Sequence, residues 1–331
     1  MTPYPAEMQP LDALGLAPLA ADLERVEALL VEGTRSDDPF LGEVASHLVK
    51  AGGKRIRPAL TLCTSYAVRG AAPASDDVIK GAVAVELVHL GSLYHDDVID
   101  EAETRRGVPS VNARWSNIVA ILAGDFLLAR ASELAASLGA DVAALLASTI
   151  GELCRGQVLE LAHLFDVDRT EEAYRSAIGG KTASLFATAC RIGGMVSDLE
   201  PGPLDAVTDF GRHLGMCFQI VDDVLDVTGT DASLGKPAGN DLLEGVYTLP
   251  VIYAIDRTPD LRELLGRKLD AGQLEAARAY TTADGAIDAA LGAAREEAAR
   301  ADKALGAASG LDPDVTGGMR RLLDTLVSRE S

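Results

Sequence analysis

From residue 78 to residue 100 the chain is apolar on nearly every side of the helix its spacing predicts, and residues 210–227 repeat the pattern. A helix that is hydrophobic all round has no face to offer water and belongs at the centre of a larger helical assembly. Other segments are amphipathic, with apolar residues at i, i+3, i+4 and i+7 over 23–30, 40–50, 118–137, 141–164, 170–193, 204–227 and 284–306. Strand-type alternation is nearly absent. Aromatic residues make up 4% of the chain and Ala and Leu dominate, which favours helices over a sandwich or barrel. Breaks fall at 52–53, 69–75, 107–109, 201–203, 229–245 and 310–313, where glycine and proline collect. No fixed-period repeat or linker divides the chain. The expectation is one all-α domain of ten or more helices over residues 11–331, after a Pro-rich, flexible N-terminus at 1–10.

With 48% hydrophobic and 24% charged residues over 331 positions, there is material for a core and disorder is excluded. Fifty acidic residues against thirty basic ones leave a net charge of −20. Such a chain is a poor general binder of nucleic acid or anionic membrane. An anionic ligand must be held by local bases or through metal ions. Cys63, Cys154, Cys190 and Cys217 form no CxxC pair and fit no zinc spacing, so they read as buried, reduced thiols. No signal-type segment opens the chain, and no run reaches 18 uninterrupted apolar residues, so a soluble, cytoplasmic protein without a membrane span is expected.

Both of the all-round apolar helices end in aspartates. Asp96, Asp97 and Asp100 follow one; Asp222, Asp223 and Asp226 lie near the end of the other, and both sets read Asp-Asp-Val-x-Asp. The first and last member of each share a helix face at i and i+4, where like charges repel. Carboxylates beside apolar runs need a counter-charge, and no lysine or arginine lies within a turn on the same helix. A divalent cation is the natural partner. Mg²⁺ takes one or two carboxylates and completes its shell with water and substrate phosphate. Transition metals would want His or Cys among the donors, and only His95 adjoins; it is given no role.

Bases stand out against this acidity. Lys54, Arg55 and Arg57 follow Gly52 and Gly53; Arg105 and Arg106 follow the first aspartate set; Lys181 and Lys236 each sit beside glycine. Glycine lets a backbone N–H approach a phosphate, and arginine grips phosphate oxygens with two donors. The sequence GGKT at 179–182 is similar to the tail of a nucleotide-binding P-loop but lacks the upstream glycine spacing. Two acidic and several basic sets together imply two polyanions, one held through metal and the other directly.

At this point the sequence resembles the trans-isoprenyl diphosphate synthases, or polyprenyl synthetases. The matching stretches are GGKRIRP at 52–58, HLGSLYHDDVIDEAETRRG at 89–107, GDFLL at 124–128, GGKTASLF at 179–186 and FQIVDDVLD…GKPAGNDLLEGVYTLP at 218–250. Their order and spacing agree over roughly 40–320. The resemblance implies antiparallel helices around a deep cavity, a homodimer, and condensation of isopentenyl diphosphate with an allylic diphosphate, farnesyl or geranylgeranyl, using three Mg²⁺ ions. It implies Asp96, Asp97, Asp100, Asp222, Asp223 and Asp226 as the metal set. Arg105, Lys181, Gln219 and Lys236 match the allylic diphosphate contacts. Lys54, Arg57, His89 and Arg106 match the isopentenyl diphosphate site, and Thr182 flanks the reacting carbons. Arg105, Lys181, Thr182 and Gln219 are thus the catalytic candidates. One departure is Val246, which stands where many relatives carry a further lysine.

In that family the residues upstream of the first aspartate set floor the product cavity, and a bulky aromatic four or five positions before it stops the chain short. Here those positions are Ser92 and Gly91, with Val88 and Ala84 deeper on the same helix, none aromatic. The expectation is a product longer than C20, shortened by Ala84→Phe or Gly91→Phe. Alternatives are a short-chain farnesyl or geranylgeranyl synthase, a terpene cyclase, whose second metal motif would differ, and a non-catalytic subunit, which would lack one aspartate set.

Overall fold

A computed structural model describes residues 9–229 and 238–328. In chain order its helices are α1 (Gln9–Asp12), α2 (Leu19–Gly33), α3 (Pro39–Ala45), α4 (His47–Lys50), α5 (Ile56–Arg69), α6 (Asp76–Ile99), α7 (Val111–Arg114), α8 (Asn117–Ser137), α9 (Ala140–Leu161), α10 (Glu171–Ile178), α11 (Ser184–Met195), α12 (Pro201–Thr228), α13 (Asn240–Glu244), α14 (Leu249–Ile255), α15 (Pro259–Leu264), α16 (Ala271–Thr282), α17 (Ala286–Ala307) and α18 (Pro313–Val327). The all-α expectation holds. Among the described residues the strands are β1 (Thr104–Arg105) and β2 (Val108–Pro109), a single antiparallel pair. Arg106 and Gly107 join them with φ of 53° and 74°, the positive values a two-residue hairpin turn needs.

Local chemistry explains the main boundaries. Ser75 caps α6 by accepting from the Val78 N–H, with Asp76 and Asp77 favourably placed in the first turn. Ser116 does the same for α8 and Thr170 for α10. The segment expected at 40–50 breaks at Ser46 into α3 and α4, and the one expected at 170–193 is interrupted by a π-helical turn at Gly179–Ala183. Helices α5, α14 to α16 and α18 carry weaker periodic signals and emerge only in the structure. Of the N-terminus expected to be flexible, residues 1–8 lie outside the described residues, and Gln9 and Pro10 begin α1.

Two compact units divide the chain: Met1–Ile150, Leu185–Gly211 and Ala304–Leu322 form the first, and Gly151–Ser184, Arg212–Lys303 and Leu323–Ser331 the second. In the first, α6 packs against α2, α5 and α8 and buries Val78 to Val88 almost without interruption, as its all-round apolar sequence requires. In the second, Val227, Leu242, Tyr247, Val251, Leu261 and Ala277 share a core. Cys63, Cys190 and Cys217 are buried, but Cys154 is exposed on α9, which corrects the expectation for that thiol. It lies on the outward face beside Arg155 and Val158, both also exposed. By length and composition α9 could cross a membrane, although it has no run of 18 uninterrupted apolar residues.

Within the first unit, α5 and α11 touch backbone to backbone. A Cβ on Gly193 would stand 2.3 Å from the Thr61 carbonyl oxygen, and the Thr61 hydroxyl donates to the Ala189 carbonyl at 3.0 Å. Gly193→Ala should therefore destabilise the fold by about 1–3 kcal/mol through overpacking. Gly292→Ala, in α17 with open space around it, should be neutral or stabilising by up to about 1 kcal/mol. Urea denaturation midpoints compare the two.

Candidate active site

The first aspartate set closes α6. Asp97 is fully buried and accepts from Arg105 Nε at 2.7 Å, while its second oxygen, Oδ2, is buried without a hydrogen bond. Burial raises its carboxyl above the ordinary value and Arg105 pulls it back. Asp96 is half-buried, and the Asp100 N–H donates to the Asp96 carbonyl at 2.8 Å, ending the helix. Asn112 ties the backbone below, donating to the carbonyls of Asp97 and Ala102 at 2.9 and 3.0 Å.

The basic loop between α4 and α5 is built around Arg55, which has a left-handed φ of 49°. Its buried guanidinium meets Glu86 at 2.8 Å and also pairs with Glu27. These carboxylates anchor the turn that presents Lys54 and Arg57 on either side. Arg57 lies 4.6 Å from the Phe186 ring centroid, with a buried Nε that makes no hydrogen bond. Burial pushes its guanidinium down to about 10, still cationic at neutral pH. Arg106 packs on Gly53 and donates to the Gly52 and Leu48 carbonyls. His89, on α6, feels the charges of Arg57 at the start of α5 and of Arg106 in the hairpin turn, and Lys54 precedes Arg57 by three residues.

The second set lies in the other unit. Asp222 is exposed; Asp223 and Asp226 are buried. Asp223 accepts from the Tyr174 hydroxyl at 2.5 Å and from Gln219 Nε2 at 2.7 Å. Gln219 Oε1 in turn accepts from the Thr182 hydroxyl at 2.7 Å. Burial raises the Asp223 carboxyl, and these hydrogen bonds oppose the rise. Lys181, in the π-helical turn, pairs with Glu160 of α9. Glycine permits that turn: a Cβ on Gly156 would lie 2.2 Å from the Lys181 nitrogen, and one on Gly180 would lie 2.8 Å from the Glu152 carbonyl. Val246 is half-buried and donates its N–H to the Asp241 carbonyl. Lys236 lies outside the described residues.

Carboxylates alone make hard oxygen donors that suit Mg²⁺, and the orphaned Asp97 oxygen is an acceptor a cation could satisfy. Among the described residues no three His, Cys, Asp or Glu side chains converge closely enough to hold an ion unaided. An ion shared with substrate phosphate needs only one or two.

Upstream of Asp96, Ser92 is half-buried and donates its hydroxyl to the His89 carbonyl, while Val88 and Ala84 are fully buried. Gly91 does not suit the floor role expected of it. A Cβ there would meet the Gly124 carbonyl oxygen at 3.1 Å and Leu128 at 3.2 Å, so its smallness serves the crossing of α6 and α8. His95 occupies the same crossing against Gly124 and pairs with Asp125 at 3.4 Å.

The residues that sequence reasoning missed are Glu160, Tyr174 and Arg169. Arg169 is buried, donates to the Tyr247 carbonyl at 3.0 Å and lies 5.6 Å from the Tyr174 ring centroid; its Nε and Nη2 have no hydrogen-bond partner. Their significance comes from contacts between distant positions that no local pattern announces.

Comparison with known proteins gives the family. Residues 38–282 match the polyprenyl synthetase family model. A heptaprenyl diphosphate synthase component 2 of Geobacillus stearothermophilus is 40% identical over 287 residues, covering 82% of this chain and 89% of that protein. A polyprenyl synthase from Caulobacter crescentus, crystallised with calcium and isoprenyl diphosphate, superposes with a TM-score of 0.90 at 33% identity, covering 97% of this chain and 98% of that one. A geranylgeranyl pyrophosphate synthase from Corynebacterium glutamicum, also crystallised with calcium and isoprenyl diphosphate, gives 0.81 at 40% identity, covering 95% and 96%. The chain belongs to the polyprenyl synthetase family.

His89 supplies a test of the basic cluster. Burial, then Arg57 and its neighbours, hold its proton affinity well below the usual histidine value. The unfolded chain takes up a proton below about pH 6.5 that the folded chain refuses, so stability present above that pH is lost as pH falls, by up to about 1.4 kcal/mol per unit. Comparing urea midpoints at neutral and mildly acidic pH, His89→Gln should lose less stability than the parent.

Proposed function

We propose that this prenyltransferase condenses isopentenyl diphosphate with farnesyl or geranylgeranyl diphosphate, head to tail, to give a trans-polyprenyl diphosphate longer than C20. Two matched aspartate sets, together with the cationic Arg57 and Arg106 flanking a neutral His89, carry this reading in a member of this family. Asp96, Asp97, Asp100, Asp222, Asp223 and Asp226 are assigned to Mg²⁺, three ions with substrate bound. When bound, the ions withdraw charge from the allylic diphosphate and make it a leaving group. Arg105, Lys181 and Lys236 add direct contacts to that group. Gln219 and Thr182 turn dipoles toward the positive charge that develops on carbon. Lys54, Arg57, His89 and Arg106 orient isopentenyl diphosphate for attack by its double bond. No side chain is assigned as a strong base; the released diphosphate accepts the proton lost when the new double bond forms.

We assign residues 11–331 to one catalytic domain, since the matched region 38–282 draws on both compact units. We place the enzyme in the cytoplasm as a homodimer. Ile118 and Leu122 on α8, exposed at 71% and 59%, with Ile121 beside them, form an apolar face that a second copy would cover. The relative from Geobacillus is called a component 2, so activity of this chain purified alone separates a self-sufficient enzyme from one that needs another subunit.

Product length decides the rest. With Mg²⁺, isopentenyl diphosphate and each allylic primer in turn, mass spectrometry of the dephosphorylated products should show a ladder ending beyond C20. A stop at C15 or C20 would make the enzyme a short-chain synthase. Ser92→Phe should cut the ladder at or before C20 while leaving primer consumption. Ala84→Phe should also shorten it, at a cost in stability because Ala84 is already fully packed. Gly91→Phe should instead destabilise the protein. In sedimentation, Ile118→Glu combined with Leu122→Glu should convert the dimer to monomer.

A further inference from the structure

We infer that Tyr174 is a positioning residue that, acting through Asp223, fixes which end of the Gln219 amide faces Thr182; this rests on the synthase reading above.

A glutamine amide has an oxygen end that only accepts and a nitrogen end that only donates, in nearly the same shape. The dipole it presents to a developing cation changes sign if it turns over. A neighbouring hydroxyl cannot prevent that, because it can either donate or accept. Thr182 is such a neighbour. A carboxyl group can prevent it when its other oxygen is taken by a hydroxyl, because the remaining oxygen only accepts and demands the N–H end. Asp223 Oδ1 receives Gln219 Nε2 at 2.7 Å, which sends Gln219 Oε1 toward Thr182.

Asp223 can enforce this only if it cannot swing away. Its other oxygen accepts the Tyr174 hydroxyl at 2.5 Å, and both groups are buried. Tyr174 is braced in turn. Thr170 caps the short helix that carries it, and the Arg169 guanidinium lies 5.6 Å from its ring, tethered to the Tyr247 carbonyl at 3.0 Å. Two Arg169 nitrogens make no hydrogen bond, so this buried cation is spent on the ring and on the field of Asp223 and Glu160 rather than on a salt bridge. The chain Arg169, Tyr174, Asp223, Gln219, Thr182 thus runs from a fixed cation to the two side chains assigned to the reacting carbons.

Tyr174→Phe keeps the ring and removes the hydroxyl. Expected is a fall in kcat of about tenfold, less than loss of a direct dipole contact would cause. KM for both diphosphates should stay within about twofold of the parent, since no direct contact to either is lost. In a Gln219→Leu background the same change should cost nothing further, since there is no amide left to orient. Undiminished kcat in Tyr174→Phe, or an equal further loss in the Gln219→Leu background, would overturn the assignment. Arg169→Met, which loosens the ring without touching the hydroxyl, carries the same cycle if Tyr174→Phe does not fold. A parent chain that elongates no primer sinks the synthase reading and this role with it; a parent that elongates beside an indifferent Tyr174→Phe sinks this role alone.

Discussion

Carboxylates set into apolar helices are the constraint on which the rest of the structure depends. Two adjacent aspartates on a helix point about 100° apart, so a helix with only one watery side must turn one inward. Both sets obey this. Asp96 and Asp222 keep access to solvent, whereas Asp97 and Asp223 are buried. The inward member then needs a partner: Asp97 has Arg105, brought back by a short hairpin, and Asp223 has Tyr174 and Gln219. The hairpin turn and the cap of α10 can be understood as the means of delivering these partners.

In the second unit, close backbone approach positions the turn that carries Lys181 and Thr182. Gly156 and Gly180 let α9 and the π-helical turn come together at distances no side chain would allow. The turn carries one extra residue per hydrogen-bonded loop, which sets Lys181 toward Glu160 and Thr182 toward Gln219. A regular helix would rotate one of them away, so the irregularity is tied to what the segment presents.

The central helix, the aspartate sets and the basic clusters were legible in the sequence, because each is a local pattern of period or composition. Contacts were not. Tyr174 and Asp223 are 49 positions apart, and nothing near either names the other. Gly91 shows the ambiguity at its sharpest: a small residue on a helix can leave room for a ligand or let a second helix approach, and here the approach of α8 takes the space. Cys154 is exposed against expectation because its apolar neighbours belong to the outward face of α9. The hairpin at 104–109 was invisible, since two-residue strands carry no alternation to read.

Three of the cations near the aspartate sets are engaged by the protein itself. Arg105 is on Asp97, Lys181 on Glu160, and Arg106 on two backbone carbonyls. An anion that takes one of these cations must therefore displace an acceptor the protein already supplies, and that acceptor stands ready to reclaim the cation when the anion leaves. Each cation is thus held in a fixed place between visits, and binding there is an exchange of partners rather than a capture by bare charge.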